Sequence, residues 1–168
     1  MIAATDVQYH DQDRSAIAAC VLFENWDDAV PTREWTVRVE EVAAYIPGQF
    51  YKRELPCLLA LLAPVLAELT LILVDGYVWL GDEGHPGLGG HLFAVLDPKL
   101  PIVGVAKTRF VSAAPVAEVL RGESTKPLFV SAAGCELSEA AKNVQAMHGA
   151  HRLPVLLKRV DALCRART

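Results

Sequence analysis

The run Leu69 to Val74, apolar except at Thr70, stops abruptly at Asp75-Gly76. A run this short and continuous suits a central strand buried on both faces, with its carboxyl end open. Such a strand has to be covered by helices on either side. Pro101 to Ala106 and Pro127 to Ser131 repeat the pattern and predict two more buried strands.

The first forty residues read differently. Ile2 to Tyr9, Ser15 to Phe23 and Trp35 to Glu40 are strand-like, and the polar turns His10 to Arg14 and Glu24 to Arg33 separate them. Links this short imply an antiparallel meander. Trp35, Val37 and Val39 alternate with Thr36, Arg38 and Glu40, the period of a strand with one face buried. After the break Ile46-Pro47-Gly48, Leu55, Leu58, Leu59, Leu62 and Leu66 recur at helical spacing, so a helix starts near Arg53. Further helices are predicted over Leu88 to Leu96, from Pro115 through Leu120, over Glu139 to Met147, and over Leu156 to Cys164. The expected fold is α/β. It has a mixed sheet of five or six strands, three antiparallel ones followed by parallel ones, with helices on both faces. Gly81 to Gly90 reads as a mobile loop.

A chain of 168 residues suits one domain spanning 1–168. Its longest apolar stretch, Leu55 to Val74, is interrupted by Pro56, Pro64 and Glu68, so no membrane span is expected. Met1 to Asp6 lacks the basic flank of a secretory signal, and a cytoplasmic protein is expected. Cys20, Cys57, Cys135 and Cys164 have no zinc-ligand spacing and read as buried free thiols. The formal charge of -4 runs against a surface built to grip phosphates. The sequence does not fix the oligomeric state.

Four acids are candidates for one site. Asp6 lies inside the first strand, Glu54 opens the first helix, Asp75 ends the buried strand, and Asp161 sits near the apolar face of the last helix. If the first strand lies beside the one ending at Asp75, two carboxylates meet at adjacent strands. Crowded carboxylates repel in a desolvated site unless a cation offsets them, and an all-oxygen set favours Mg²⁺ or Mn²⁺ over zinc. Each acid also has a plainer role. Asp75 can shape a turn, Glu54 can favour a helix N-terminus, and Asp161 can pair with Arg165 four residues on. Asp6 is harder to dismiss, because an acid inside a strand needs a partner.

Several motifs occur in a specific order: Thr5-Asp6-Val7-Gln8-Tyr9, Tyr45-Ile46-Pro47-Gly48 with Arg53-Glu54 behind it, Val74-Asp75-Gly76, His85-Pro86, Gly104-Val105-Ala106-Lys107 and Arg152-Leu153-Pro154. In this combination the chain resembles endonuclease V over nearly its full length, as an N-terminally short member. The resemblance implies a ribonuclease-H-like fold. It also implies Mg²⁺- or Mn²⁺-dependent hydrolysis of a phosphodiester bond near a deaminated base, chiefly inosine, in DNA or RNA. Asp6, Glu54 and Asp75 would then bind metal, with Asp161 at a late metal position. Lys107 would meet the phosphate, and His85 would orient phosphate or water. Tyr45, Ile46, Pro47 and Gly48 would form a wedge in the strand, backed by Arg53, with a flipped base resting on nearby backbone. Plainer roles remain for Lys107 as a solvated loop end, His85 as a turn residue and Tyr45 as a hydrophobic staple. Tyr77 and Trp79 read as stacking platforms or as displaced core residues.

The departures from the family pattern fall on substrate contact. Tyr77 to Gly84 is long and adds Asp82 and Glu83, and Gly87 follows His85-Pro86 where arginine is common. Ala133-Gly134-Cys135 and Pro154-Val155-Leu156-Leu157-Lys158 also differ. Two rival readings follow. One is a nuclease for another RNA or a branched strand. The other is a weakly catalytic nucleic-acid-binding or assembly module that uses Val155-Leu156-Leu157 as a partner face.

Overall fold

The computed structural model describes residues 1–10, 12–40, 42, 51–81, 84–110 and 115–166. Strands β1 (Ile2–His10), β2 (Ser15–Phe23) and β3 (Arg33–Val39) form the expected antiparallel meander, with Asp6 opposite Ala19. Helix α1 (Tyr51–Leu62) then leads through a 3₁₀ turn to β4 (Leu71–Asp75), which pairs in parallel with β1 so that Thr5 faces Val74. A small hairpin of β5 (Trp79–Leu80) and β6 (His85–Pro86) precedes α2 (Leu88–Val95). Strand β7 (Ile102–Ala106) adds in parallel beside β4, with Asp75 facing Val105. The chain finishes with β8 (Ala117–Val119), β9 (Leu128–Ala133), α3 (Leu137–Ala146) and α4 (Val155–Arg165).

The main sheet has seven strands in the order β3-β2-β1-β4-β7-β9-β8. Two of its features correct the sequence reading. The helix expected from Pro115 through Leu120 is the edge strand β8, whose Val119 is buried against Leu128 of β9. Strand β9 runs antiparallel to both neighbours instead of continuing the parallel set. The link between them, residues 120–127, is shorter than the roughly dozen residues a parallel crossover needs. The segment from Gly81 to Gly90, expected as a mobile loop, enters the hairpin and the first turn of α2 at residues 84–90.

Two apolar cores lie on opposite sides of the sheet. On one side Cys57, Leu58, Leu61 and Leu62 of α1 and Leu92 of α2 meet Ala3, Ile72 and Ile102. On the other, Val144 of α3 and Leu156, Val160 and Cys164 of α4 meet Ala4, Leu73 and Val103. Leu156 is therefore core, not a partner face. All of β2 is buried because α1 and α4 cover it from opposite sides. Edge strand β3 keeps its alternation, with Trp35, Val37 and Val39 half-buried and ion pairs at Arg33 with Glu68 (2.6 Å) and Arg38 with Asp13 (2.8 Å). Among the described residues, no helix is long and apolar enough to cross a membrane.

Candidate active site

The site follows from sheet register and side-chain parity. Ile2 and Ala4 of β1, Leu71 and Leu73 of β4, and Val103 and Val105 of β7 all face the core beneath α4. Successive side chains of a strand alternate faces, so Asp6, Asp75 and Lys107 come to the same side of three adjacent strands, Asp6 within β1 just past its last pair with β4, Asp75 at the end of β4 and Lys107 just after β7. Thr5, on the opposite parity, donates its hydroxyl to the Leu73 carbonyl (3.0 Å) and ties β1 to β4 just below the acids. Helix α4 is held by Leu156, Val160 and Cys164, spaced four apart, and this places neighbouring Asp161 over the strand ends.

One carboxylate oxygen from each of Asp6, Asp75 and Asp161 lies within 4.8 Å of the other two. Lys107 Nζ bonds Asp75 at 2.8 Å and Asp161 at 3.3 Å. Arg165 bonds the same Asp161 oxygen at 3.0 Å, so Asp161 makes its expected helical pair and joins the cluster as well. Arg152 donates to the Lys107 carbonyl and to that of Pro127, which fixes the start of the loop after β7.

Glu54 stands apart. It projects from α1 on the opposite face of the sheet, is 8% exposed, and faces Asp6 and Asp75 across a small cavity also lined by Leu58 and Leu88. Within the described residues, the three-acid group is completed by Asp161 and not by Glu54. The electrostatics nevertheless join all of them. Burial, then the charges of Asp75 and Asp161, push the Asp6 carboxyl up to about 6, although the Val7 amide and Lys107 pull the other way. Burial, followed by Asp6 and Asp75, pushes Glu54 up to about 8 against the opposing charge of Arg53. For Lys107 burial acts to lower the pKa. The bond to Asp75 and the charges of Asp75, Asp161 and Asp6 outweigh it and hold the ammonium above its usual range. The acids are therefore short of positive charge. A divalent cation fits a set of oxygen donors that repel one another in a partly dry site.

Beside Asp75 and Glu54 opens a cavity of 330 Å³ with Tyr51, Tyr77, Leu80, Leu88 and Phe110 in its wall. Its floor is the backbone that follows Asp75. Gly76 has a φ of 126°, and a Cβ on Gly104 would come within 2.5 Å of the Gly76 carbonyl. Gly87 is needed for a similar reason, since a Cβ there would sit 2.5 Å from the Tyr77 carbonyl. The Gly87 and Gly90 amides bond the Val78 carbonyl at 2.8 and 3.0 Å, and the Gly89 amide bonds that of Tyr77 at 3.2 Å. The residues after Asp75 thus cap α2, and the position where arginine was missing is one where their close approach admits only glycine.

The other expected site residues separate. Arg53, expected at a nucleic-acid surface, is 7% exposed, and its guanidinium lies 4.1 Å from the centre of the Tyr9 ring. It shares the sheet-facing side of α1 with Glu54 and Cys57, so this expectation is corrected. His85 is exposed on β6 beside Pro86, which lines the cavity; His85 itself is not in its wall. Tyr45, Ile46, Pro47 and Gly48 lie outside the described residues, as do Asp82 and Glu83. Trp79 packs on the core, with its indole N–H on the Ala132 carbonyl (3.0 Å), as a displaced core residue. Sequence reasoning missed Phe110, although an exposed aromatic three residues beyond Lys107 was the available signal.

Known proteins of one family resemble this chain in sequence and in fold. The family model described as Endonuclease V matches residues 1–123. The endonuclease V of Streptomyces avermitilis is 33% identical over an alignment of 187 positions, covering 98% of this chain and 79% of that protein. Its Streptomyces coelicolor counterpart is 31% identical, covering 98% and 78%. The crystal structure of the Streptomyces avermitilis protein superposes with a TM-score of 0.76 over 98% of this chain and 79% of that one. That of Ciona intestinalis endonuclease V, in complex with a 24mer DNA containing an inosine followed by a ribo-adenosine, gives 0.78 at 21% identity, covering 98% and 83%. The ribonuclease-H-like architecture is therefore the observed one.

Proposed function

Because the chain belongs to the endonuclease V family, we infer that it is a metal-dependent endonuclease that hydrolyses a phosphodiester bond near a deaminated base, inosine above all, in DNA or RNA. The observation that carries this reading is the meeting of Asp6, Asp75 and Asp161 within 4.8 Å, beside a cavity walled by aromatic and aliphatic side chains. Asp6, Asp75 and Asp161 would hold the ion, and their oxygen-only donor set suits Mg²⁺ or Mn²⁺. When bound, the cation would offset the negative charge that develops on the scissile phosphate and leaving oxygen, and would make water a stronger nucleophile.

The remaining residues divide the work. Glu54, on the opposite face of the sheet from Asp161, offers a carboxyl that can hold or release a proton close to Asp6 and Asp75. Lys107 places an ammonium where a phosphate oxygen would approach the acids. His85, at the rim, orients the phosphate or water. Tyr45 to Gly48 act as the wedge, and the flipped base enters the cavity and rests against the backbone of Gly76 and Tyr77. Arg53, stacked on Tyr9, stiffens the start of α1 instead of touching the strand. The whole of 1–168 acts as one domain, in the cytoplasm.

Purified protein with Mg²⁺ or Mn²⁺ at low salt is expected to nick a labelled inosine-containing strand and to spare an undamaged control. Absence of nicking on both DNA and RNA would refute the reading.

A further inference from the structure

Lys107 owes its position to a short loop. Residues 107–110 leave the end of β7, and their outer side is fixed by Arg152 on the Lys107 carbonyl and by an ion pair of Arg109 with Glu118 at 2.9 Å. On the side facing the acids, the loop backbone among the described residues is held by the Tyr77 phenol. The Tyr77 hydroxyl donates to the Thr108 carbonyl at 2.8 Å and accepts the Phe110 amide at 3.0 Å, bracketing Arg109. Its ring lies 6.2 Å from that of Phe110 in a tilted pair.

Tyr77 acts from a rigid platform. Next to it, the Val78 amide donates to the Ser131 hydroxyl (2.9 Å), the Trp79 indole is anchored on Ala132 (3.0 Å), and the Val78 carbonyl caps α2. The ladder continues past Asp75 through the Gly76 amide to the Val105 carbonyl at 3.2 Å. Tyr77 therefore joins two strand ends, one carrying Asp75 and the other Lys107, at a place where the sheet no longer pairs them. Among the described residues its hydroxyl bonds only backbone, so the link constrains the path of the loop and leaves the polar groups of the site untouched.

We propose that Tyr77 is a positioning residue whose hydroxyl clasps the loop at 108 and 110 and thereby holds the Lys107 ammonium over Asp75 and Asp161. This rests on the nuclease reading of the site for its effect on rate, but not for its effect on geometry. A misplacement of about 1 Å can cost a catalytic group up to about a hundredfold, so loss of the Tyr77 restraint while those of Arg152 and Arg109 remain should cost about tenfold. Tyr77→Phe keeps the ring, the cavity wall and the pairing with Phe110 while removing both bonds.

The test has two arms. In the first, nicking of an inosine-containing strand by Tyr77→Phe is expected to show kcat lowered about tenfold with KM within about twofold. In a Lys107→Ala background the same change should cost less than about twofold, because nothing remains to be positioned. Equal losses in both backgrounds, or none in the first, would overturn the proposal. The second arm needs no activity: the rate at which an amine-reactive acetylating reagent labels Lys107, read by peptide mass spectrometry with Lys52 and Lys99 as internal controls. Faster labelling of Lys107 alone in Tyr77→Phe is expected. Unchanged labelling overturns the clasp even if the protein nicks, whereas faster labelling in a protein that never nicks upholds the clasp and fails only the nuclease reading.

Discussion

The two sides of the site are built by different means. The metal side rests on sheet register: Asp6 lies within β1, Asp75 ends β4 and Lys107 follows β7, three hydrogen-bonded neighbours, and Asp161 comes from a helix locked into the core. The substrate side rests on links between elements: the backbone after Asp75, the small hairpin, and the loop from Lys107 to Phe110. A carboxylate on a core strand cannot shift without moving the sheet, whereas a loop wall can be rebuilt residue by residue. Two departures from the family pattern, the long Tyr77 to Gly84 link and Gly87, fall on the second side, whereas the changed Pro154 to Lys158 stretch opens the helix that carries Asp161. The difference teaches that the wall can vary without moving the acids, while a change on the first side has to preserve the core contacts of α4.

The largest effect should come from the metal side. Asp75→Asn is expected to lower the nicking rate on the order of a thousandfold with little change in strand affinity, since it removes a ligand and the partner of Lys107 together. A variant that nicks normally would show that the acids do not serve one centre.

Phe110→Ala probes the substrate side. Stacking on a base is worth about 1 to 3 kcal/mol, so KM should rise about tenfold or more while kcat changes less. A pure loss of kcat would instead move Phe110 to the metal side of the comparison.

Stability against pH sharpens the contrast again. The carboxyls of Asp6, near 6, and Glu54, near 8, lie above their ordinary values of 3.8 and 4.5. The folded chain then binds protons more tightly than the unfolded chain, so this part of the stability is full below about pH 4. It is lost as the pH rises through about 6 and then 8. Thermal melts with a chelator present should therefore show Tm falling from pH 5 to 9, and Asp6→Asn with Glu54→Gln should flatten that slope. A Tm that rises across the window would refute the charge crowding.

The smallest effect should come from Lys107→Met. It removes the ammonium that competes for Asp75 and Asp161, so Mn²⁺ should bind a few-fold more tightly even as nicking falls. Weaker Mn²⁺ binding would show that Lys107 organises the acids instead of competing for them.

Much of the metal side was legible in the sequence. The buried run ending at Asp75 and the strand holding Asp6 predicted adjacent strands, and the structure brings them together. What spacing did not convey was which helix completes the group. Parity carried that signal: Asp6 shares its face with Ile2 and Ala4, and Asp75 with Leu71 and Leu73, which is the face of α4. Asp161 therefore joins them, and Glu54, from α1, meets them from the other face where β4 ends. Arg53 was misread because its neighbour Glu54 drew attention to function, while its own helical position turned it inward to Tyr9. The strand at Ala117–Val119 was misread because a three-residue edge strand has no period of its own. Phe110 and the clasp of Tyr77 depend on where two loops meet, and no local pattern encodes that.

The account stands most directly on the joint cation site of Asp6, Asp75 and Asp161, and calorimetric titration of the purified protein with Mn²⁺ tests it. One saturable site is expected, weakened at least tenfold by each of Asp6→Asn, Asp75→Asn and Asp161→Asn, and left within about twofold by Phe110→Ala. Binding of Mn²⁺ that survives all three acid substitutions would contradict it.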